Sequence, residues 1–227
     1  MLIFMGLPSS IANGTNRIAI LIQNFFSTAG FKSKGIQTFP FSFWMGISAL
    51  FGAILGAYLG AIYFTDDIFN KILAIVMVLV VLYMVFKPKN SLNNLSERIT
   101  GKYFWFQIIA FFFIGIYGGF IQAGTGIFIL LALNSIGHIS LVKSNAIKAV
   151  VVILYTLSAL AIYAYSDKID YKMGFTLAIG NATGAWLASR YSVKKGDGLV
   201  RWFLIIMVSV MAIKLWFPEV FDFQYKY

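Results

Sequence analysis

The stretch Phe41–Phe64, FSFWMGISALFGAILGAYLGAIYF, decides the class of this protein. It carries no Asp, Glu, Lys or Arg, and it exceeds the ~20 apolar residues that cross ~30 Å of hydrocarbon as a helix. Comparable apolar blocks follow at Ile68–Phe86, Phe104–Gly119, Ala146–Tyr165 and Leu199–Phe217. Membrane β-strands would instead alternate in polarity over ~10-residue segments, and no such alternation occurs. The fold expected is all-α, a polytopic transmembrane helical bundle.

Composition agrees. The 227-residue chain is 60% hydrophobic and 11% charged, against ~25% charged residues in soluble domains. A net charge of +10 would suggest nucleic acid in a soluble protein. Here Lys and Arg gather in short connections, which positive-inside retention explains without a nucleic-acid partner; an electropositive path for anions fits as well. With no cysteine, structural disulfides, thiolate chemistry and cysteine-ligated metals are excluded. The single histidine, His138, has no second histidine for a metal pair. No cofactor is expected, and no cleavable signal peptide, since Met1 is followed directly by apolar residues without a basic n-region.

The chain repeats itself. Met45-Gly46 followed by Gly52-x3-Gly56-Ala recurs 128 positions later as Met173-Gly174 followed by Gly180-x3-Gly184-Ala. Gly14-Thr15-Asn16-Arg17 pairs with Lys143-Ser144-Asn145-Ala146, and Lys71 through Pro88 with Arg201 through Pro218. Apolar composition alone would not align Gly, Asn and Pro at a nearly constant offset. The division expected is a first transmembrane repeat at 1–90, a cytoplasmic loop at 91–102 and a second repeat at 103–227. The second repeat opens with a glycine-rich stretch, Lys102–Phe128, that the first does not match. The first is therefore expected to lack roughly thirty residues at its N-terminus.

Loop charge sets orientation. Loop 87–102 (Lys87, Lys89, Arg98, Lys102) and loop 190–201 (Arg190, Lys194, Lys195, Arg201) read as cytoplasmic, and loop 65–70, with Asp66 and Asp67, as external. Loops 65–70 and 190–201 hold equivalent places in the repeat, so the halves are expected to have inverted topology, as in many secondary transporters. Inversion requires Tyr103–Asn134 to cross an even number of times, as two half-helices or a glycine-broken, re-entrant element lining a protected cavity.

Three motifs bear on chemistry. Gly115-Ile-Tyr-Gly118-Gly119-Phe-Ile-Gln122-Ala-Gly124-Thr125-Gly126 can open the backbone and aim N–H groups at an anion; its structural alternative is close helix packing. Thr15-Asn16-Arg17 and Ser144-Asn145…Lys148 bring hydroxyl, amide and cation to the start of a helix; helix capping is the alternative. Gln23 and Asn24 extend the first of these into the helix as a polar patch. The third, Gly52-x3-Gly56-x3-Gly60 with Gly180-x3-Gly184, reads as close helix crossing.

Gly6-Leu7-Pro8 with Ala12-Asn13-Gly14-Thr15-Asn16-Arg17, the Lys32-Ser33-Lys34-Gly35 loop, and Gly118-Gly119-x3-Ala123-Gly124-x-Gly126 resemble the TauE/SafE family of sulfite exporters over essentially the whole chain. The resemblance implies a permease of the bacterial inner membrane, built from two related halves, that carries small and often sulfur-containing anions such as sulfite, sulfoacetate or thiosulfate. The family's first repeat normally holds a glycine-rich element before the segment that starts here at Met1, and this sequence departs from the family there.

The function expected is alternating-access transport of a small anion. The residues expected to bind it are Thr15, Asn16, Arg17, Gln23, Asn24, Gly118, Gly119, Gln122, Gly124, Thr125, Gly126, Ser144, Asn145 and Lys148. Desolvating an anion at membrane depth demands convergent donors of this kind. The partners expected are the lipid bilayer, the anion and a coupling ion of unread identity. An intramembrane enzyme is disfavoured, because no His-Glu-x-x-His, no paired intramembrane aspartates and no cysteine is present. A channel, a scaffold or assembly factor, and an inactive permease fragment stand as alternatives.

Overall fold

A computed structural model describes residues 2–63, 66–86 and 96–191. After a 3-10 turn at Leu2–Met5 come α1 (Ser9–Lys32), α2 (Phe41–Tyr58, continued as a π-helical turn over Leu59–Tyr63), α3 (Asp66–Phe86), α4 (Gly101–Phe120), α5 (Thr125–Ser135), α6 (Leu141–Tyr165) and α7 (Tyr171–Tyr191). The described residues contain no strand. Phe41–Tyr63, Gly101–Phe120 and Leu141–Tyr165 are long and apolar enough to cross a membrane. The apolar block at 199–217, the repeat match at 201–218, and Lys87, Lys89, Lys194, Lys195 and Arg201 lie outside the described residues.

Two patterns of close approach organise the bundle. Along α2, Ser48 Oγ donates to the carbonyl of Ile108 at 2.6 Å, and a Cβ at Gly52 or Gly56 would collide with the carbonyls of Phe112 and Ile116. The three steps advance together, so α2 and α4 run parallel with their backbones in contact. The α4 side returns the arrangement, with Gly115 and Gly119 seated on Ala49 and Ala53. Small residues at this spacing let membrane helices approach where lipid offers no hydrophobic driving force. The second pattern is reciprocal. Gly46 of α2 faces Leu154 of α6, while Gly174 of α7 faces Ile18 and the carbonyl of Thr15 on α1. Between α2, α4, α5 and α6 lies a core that includes Met45, Ala49, Phe111, Ile129, Leu133, Ile147 and Val151. Trp105, Phe113, Phe51 and Ile179 point outward, as a lipid-facing surface requires.

The glycine-rich stretch is re-entrant but unequal. It forms one full helix, α4, whose 20 residues span about 30 Å, followed by a short helix, α5, of 11 residues. Two half-helices are not what forms. Helix α5 folds back along α4: Tyr117 meets Phe128 edge to face, and Gly137 lies beside Gln107. The Arg98 amide then donates to the Gly137 carbonyl at 2.8 Å, and Lys143 pairs with Glu97 at 2.6 Å. The start of α4 and the start of α6 therefore share one side of the bundle. Helices α1 and α6 are antiparallel, since Asn13, near the start of α1, meets Tyr163, near the end of α6.

Candidate functional site

The chain breaks between α4 and α5 at Ile121–Gly124, inside the bundle. Gln122 (φ 66°) and Gly124 (φ 74°) both take left-handed backbone, the second at little cost because glycine has no Cβ. A broken helix leaves its last carbonyls and its first N–H groups unpaired, and in hydrocarbon these must be satisfied by protein. The two ends are treated differently here.

The C-terminal end of α4 is closed by three side chains from other helices. Arg17 Nη1 donates to the Gly118 carbonyl at 3.2 Å, and Nη2 donates to the Gly119 carbonyl at 2.5 Å. Asn13 Nδ2 donates to the Phe120 carbonyl at 2.8 Å, and Tyr163 donates to the same oxygen at 3.0 Å. The Ile121 amide takes the Tyr117 carbonyl. Arg17 is fully buried, its guanidinium lies 4.5 Å from the Tyr163 ring centroid, and a cation there opposes the negative end of the α4 dipole. Its Nε is the one guanidinium nitrogen without a partner.

The N-terminal end of α5 is left open. Gly124 is its N-cap, and no side chain caps the helix. Thr125 Oγ1 turns back to the Gln122 carbonyl at 2.8 Å. Beside this end lies Lys148 of α6: a Cβ placed on Gly126 would sit 3.4 Å from Lys148 Cδ and 3.9 Å from Nζ. Lys148 Nζ donates to Asn145 Oδ1 at 2.9 Å, and Asn145 Nδ2 donates to the Leu141 carbonyl at 3.0 Å. The Thr125 and Ile127 amides donate to the Gln122 and Gly124 carbonyls at 3.2 and 2.8 Å, so what this end offers is charge: the positive end of a helix dipole and an ammonium group meet beside Gly126, which is an electrostatic setting for an anion. Gln122 and Thr125 form the inner wall. Gln122 Nε2 donates to Thr156 Oγ1 at 3.4 Å, and Gln122 Oε1 is buried without a partner.

The predicted residues therefore divide. Gly124, Thr125, Gly126, Asn145 and Lys148 come together at the open end of α5, with Gln122 behind them. Arg17, Gly118 and Gly119 form the closed end of α4. Thr15 and Ser144 do not cap their helices. Thr15 lies in the second turn of α1 and accepts the Asp170 amide at 2.8 Å. Ser144 accepts Asn134 Nδ2 at 3.0 Å, tying α6 to the last turn of α5. Asn24 bonds to the Ile20 carbonyl of its own helix. Asn16 and Gln23 are half-buried on α1 and join neither cluster. The two cations are not repeat equivalents, because Arg17 aligns with Ala146 and Lys148 with Ala19. Asn13 and Tyr163 were not among the expected site residues, yet they close the helix end. Asn13 stood within the quoted motif; Tyr163, inside an apolar helix, gave no sign.

The sequence matches the family described as Sulfite exporter TauE/SafE over residues 1–215. It is 27% identical over 219 residues to a probable membrane transporter protein of Haemophilus influenzae, covering 96% of this chain and 84% of that one. It is 25% identical to another from a Sinorhizobium species, covering 94% and 81%, and 28% identical to the probable membrane transporter protein YfcA of Escherichia coli, covering 74% and 60%. No solved structure matches. Helices of membrane-spanning length, a helix broken inside the bundle and a match along nearly its whole length agree: this chain belongs to the TauE/SafE family of membrane transporters.

Proposed function

We propose that this protein carries a small anion, sulfite or another sulfur-containing anion such as sulfoacetate or thiosulfate, across the bacterial inner membrane. The observation that carries this reading is the open N-terminus of α5, with Lys148 and Asn145 against Gly126. Water around an anion can be replaced at membrane depth only by donors already in place. The N-terminus of α5 supplies the positive end of its dipole, and Lys148 supplies charge without a bulky Cβ at Gly126 to hold the anion away. Tetrahedral and pyramidal oxyanions suit such a site because their oxygens accept several donors at once.

The reading extends to mechanism and topology. Antiparallel α1 and α6, and the reciprocal contacts of Gly46 and Gly174, are what two inverted repeats would make, and alternating access would then rock one repeat against the other. Lys32, Lys34, Arg98, Lys102, Lys143 and Arg190 gather at one end of the helices, so that end is assigned to the cytoplasm.

The test is flux in proteoliposomes. Purified protein should carry sulfite or thiosulfate with saturation and trans-stimulation, and Lys148→Gln should weaken apparent affinity while the protein still folds. If no sulfur oxyanion is carried faster than in empty liposomes, the reading is wrong. Linear flux without exchange would indicate a channel instead.

A further inference from the structure

The positive charge at the open end of α5 is limited. Lys148 contributes one charge, and the N-terminus of α5 contributes about half of another. Arg17 serves the opposite end of the break, its guanidinium committed to the Gly118 and Gly119 carbonyls. The other titratable side chains at the break are tyrosines: Tyr155 packs with Thr125 on Gly118, Tyr117 donates to the Ala123 carbonyl and Tyr163 to that of Phe120. Among the described residues the carboxylates stand elsewhere. Asp67 pairs with Lys71 and Glu97 with Lys143, while Asp167 and Asp170 lie in the turn between α6 and α7, and His138 in that between α5 and α6. The break also holds an acceptor in need of a donor. Gln122 is only 7% exposed, and its φ of 66° is one that a non-glycine residue keeps only where its surroundings enforce it. Its Nε2 donates to Thr156 Oγ1, and its Oε1 has no partner.

Both features select among anions. The cost of desolvating an ion grows with the square of its charge, whereas its attraction to a fixed site grows only in proportion. A dianion therefore multiplies the cost fourfold and the gain twofold, and about one and a half positive charges do not match its two. A monoanion is matched in full. The acceptor adds a second condition, because an oxyanion without hydrogen meets at Gln122 Oε1 an oxygen that repels it, while one that carries a proton donates to it. We propose that the form carried is a monovalent anion that bears a proton, hydrogensulfite instead of the sulfite dianion, with Gln122 as the residue that selects it. The proposal rests on the α5 N-terminus being the anion site, and it narrows what that site takes: sulfate and the fully ionised forms of thiosulfate and sulfoacetate fall outside. A monoanion without a proton, such as methanesulfonate, satisfies the charge but not Gln122.

The test is a pH series of sulfite and methanesulfonate flux in proteoliposomes holding the full chain, from slightly acid to mildly alkaline. Hydrogensulfite and sulfite interconvert near neutral pH, so the apparent KM for total sulfite should climb with pH, approaching about tenfold per unit once the dianion dominates. Methanesulfonate keeps its single charge throughout and should show no such climb, which separates titration of the substrate from titration of Lys148 or a tyrosine. Gln122→Met should raise the KM for hydrogensulfite roughly tenfold and leave that for methanesulfonate nearly unchanged. The proposal is overturned by a KM for total sulfite that stays constant or falls as pH rises, by a parallel climb for both anions, or by sulfate or thiosulfate inhibiting as strongly as methanesulfonate. Equal weakening of both anions by Gln122→Met overturns the role of Gln122, and the pH series decides the rest even where that variant does not fold. Absence of flux for every sulfur oxyanion at every pH would instead overturn the anion site itself, and the proposal with it.

Discussion

Arg17 holds the Gly118 carbonyl across a sequence separation of 101 residues, Nη1 to oxygen at 3.2 Å, buried in the bundle. The pairing joins α1 to the broken end of α4 and gives a buried cation a structural task. A guanidinium suits that task, because its fixed fork reaches two successive carbonyls at once. Replacing Arg17 with Met would leave the Gly118 and Gly119 carbonyls without donors, and each buried unsatisfied group costs about 1–3 kcal/mol. Arg17→Met is expected to lower the unfolding temperature of the detergent-solubilised protein markedly, and Arg17→Lys to lower it less. A variant as stable as the parent, with only its apparent substrate affinity reduced, would instead make Arg17 a ligand.

At the other end of the break the expected order of effects reverses. Lys148 meets α5 through its flexible stem, so Lys148→Gln should fold normally. A hydrogen bond to a charged group contributes about 1.5–3 kcal/mol, which corresponds to a rise of roughly ten- to a hundredfold in the apparent KM for the anion. Asn145→Ala should act in the same direction but less, because it removes the acceptor that orients Lys148. Flux against substrate concentration in proteoliposomes, beside a melting curve for each variant, checks both.

Gly124 offers a separate test of the break. Its φ of 74° is left-handed, a conformation that costs an L-residue roughly 1–2 kcal/mol. Gly124→Ala should therefore destabilise the protein by about 1 kcal/mol, and Gly124→Asn by less, since Asn tolerates this conformation better than other side chains. Thermal unfolding of the two variants side by side gives the comparison. Equal loss for both would mean that contacts, not backbone conformation, set the cost.

The helices were legible because lipid makes apolar length nearly sufficient to define them: the apolar block Ala146–Tyr165 lies wholly within α6 and ends with it. The re-entrant element followed from counting crossings, but its unequal division into α4 and α5 did not, because the glycines mark where the backbone can bend and not where it does. The site was legible in part. Sequence spacing brought Asn145 and Lys148 together, since residues at i and i+3 share a helix face. It set Arg17 beside Thr15 and Asn16, and the fold turns it to the carbonyls of Gly118 and Gly119. Which pole of a broken helix a cation serves depends on the side from which its helix approaches, and that is a tertiary fact.

Gly52 and Gly56 make the last comparison, set against their repeat equivalents on α7. A side chain at either α2 position would meet the backbone of α4, and backbone cannot rotate aside as a side chain can. Overpacking typically costs about 1–3 kcal/mol, and more where nothing can yield. Gly52→Ile is expected to separate α2 from α4, break the Ser48–Ile108 hydrogen bond and leave little folded protein in the membrane. Gly180→Ile should be recovered at the parental level, because among the described residues nothing lies within 4 Å of a Cβ at Gly180. Yield and monodispersity of the two variants by fluorescence-detected size exclusion test the contrast. Equal damage from both substitutions would show that the α7 face is covered within the same chain, and an undamaged Gly52→Ile protein would contradict the close crossing of α2 and α4.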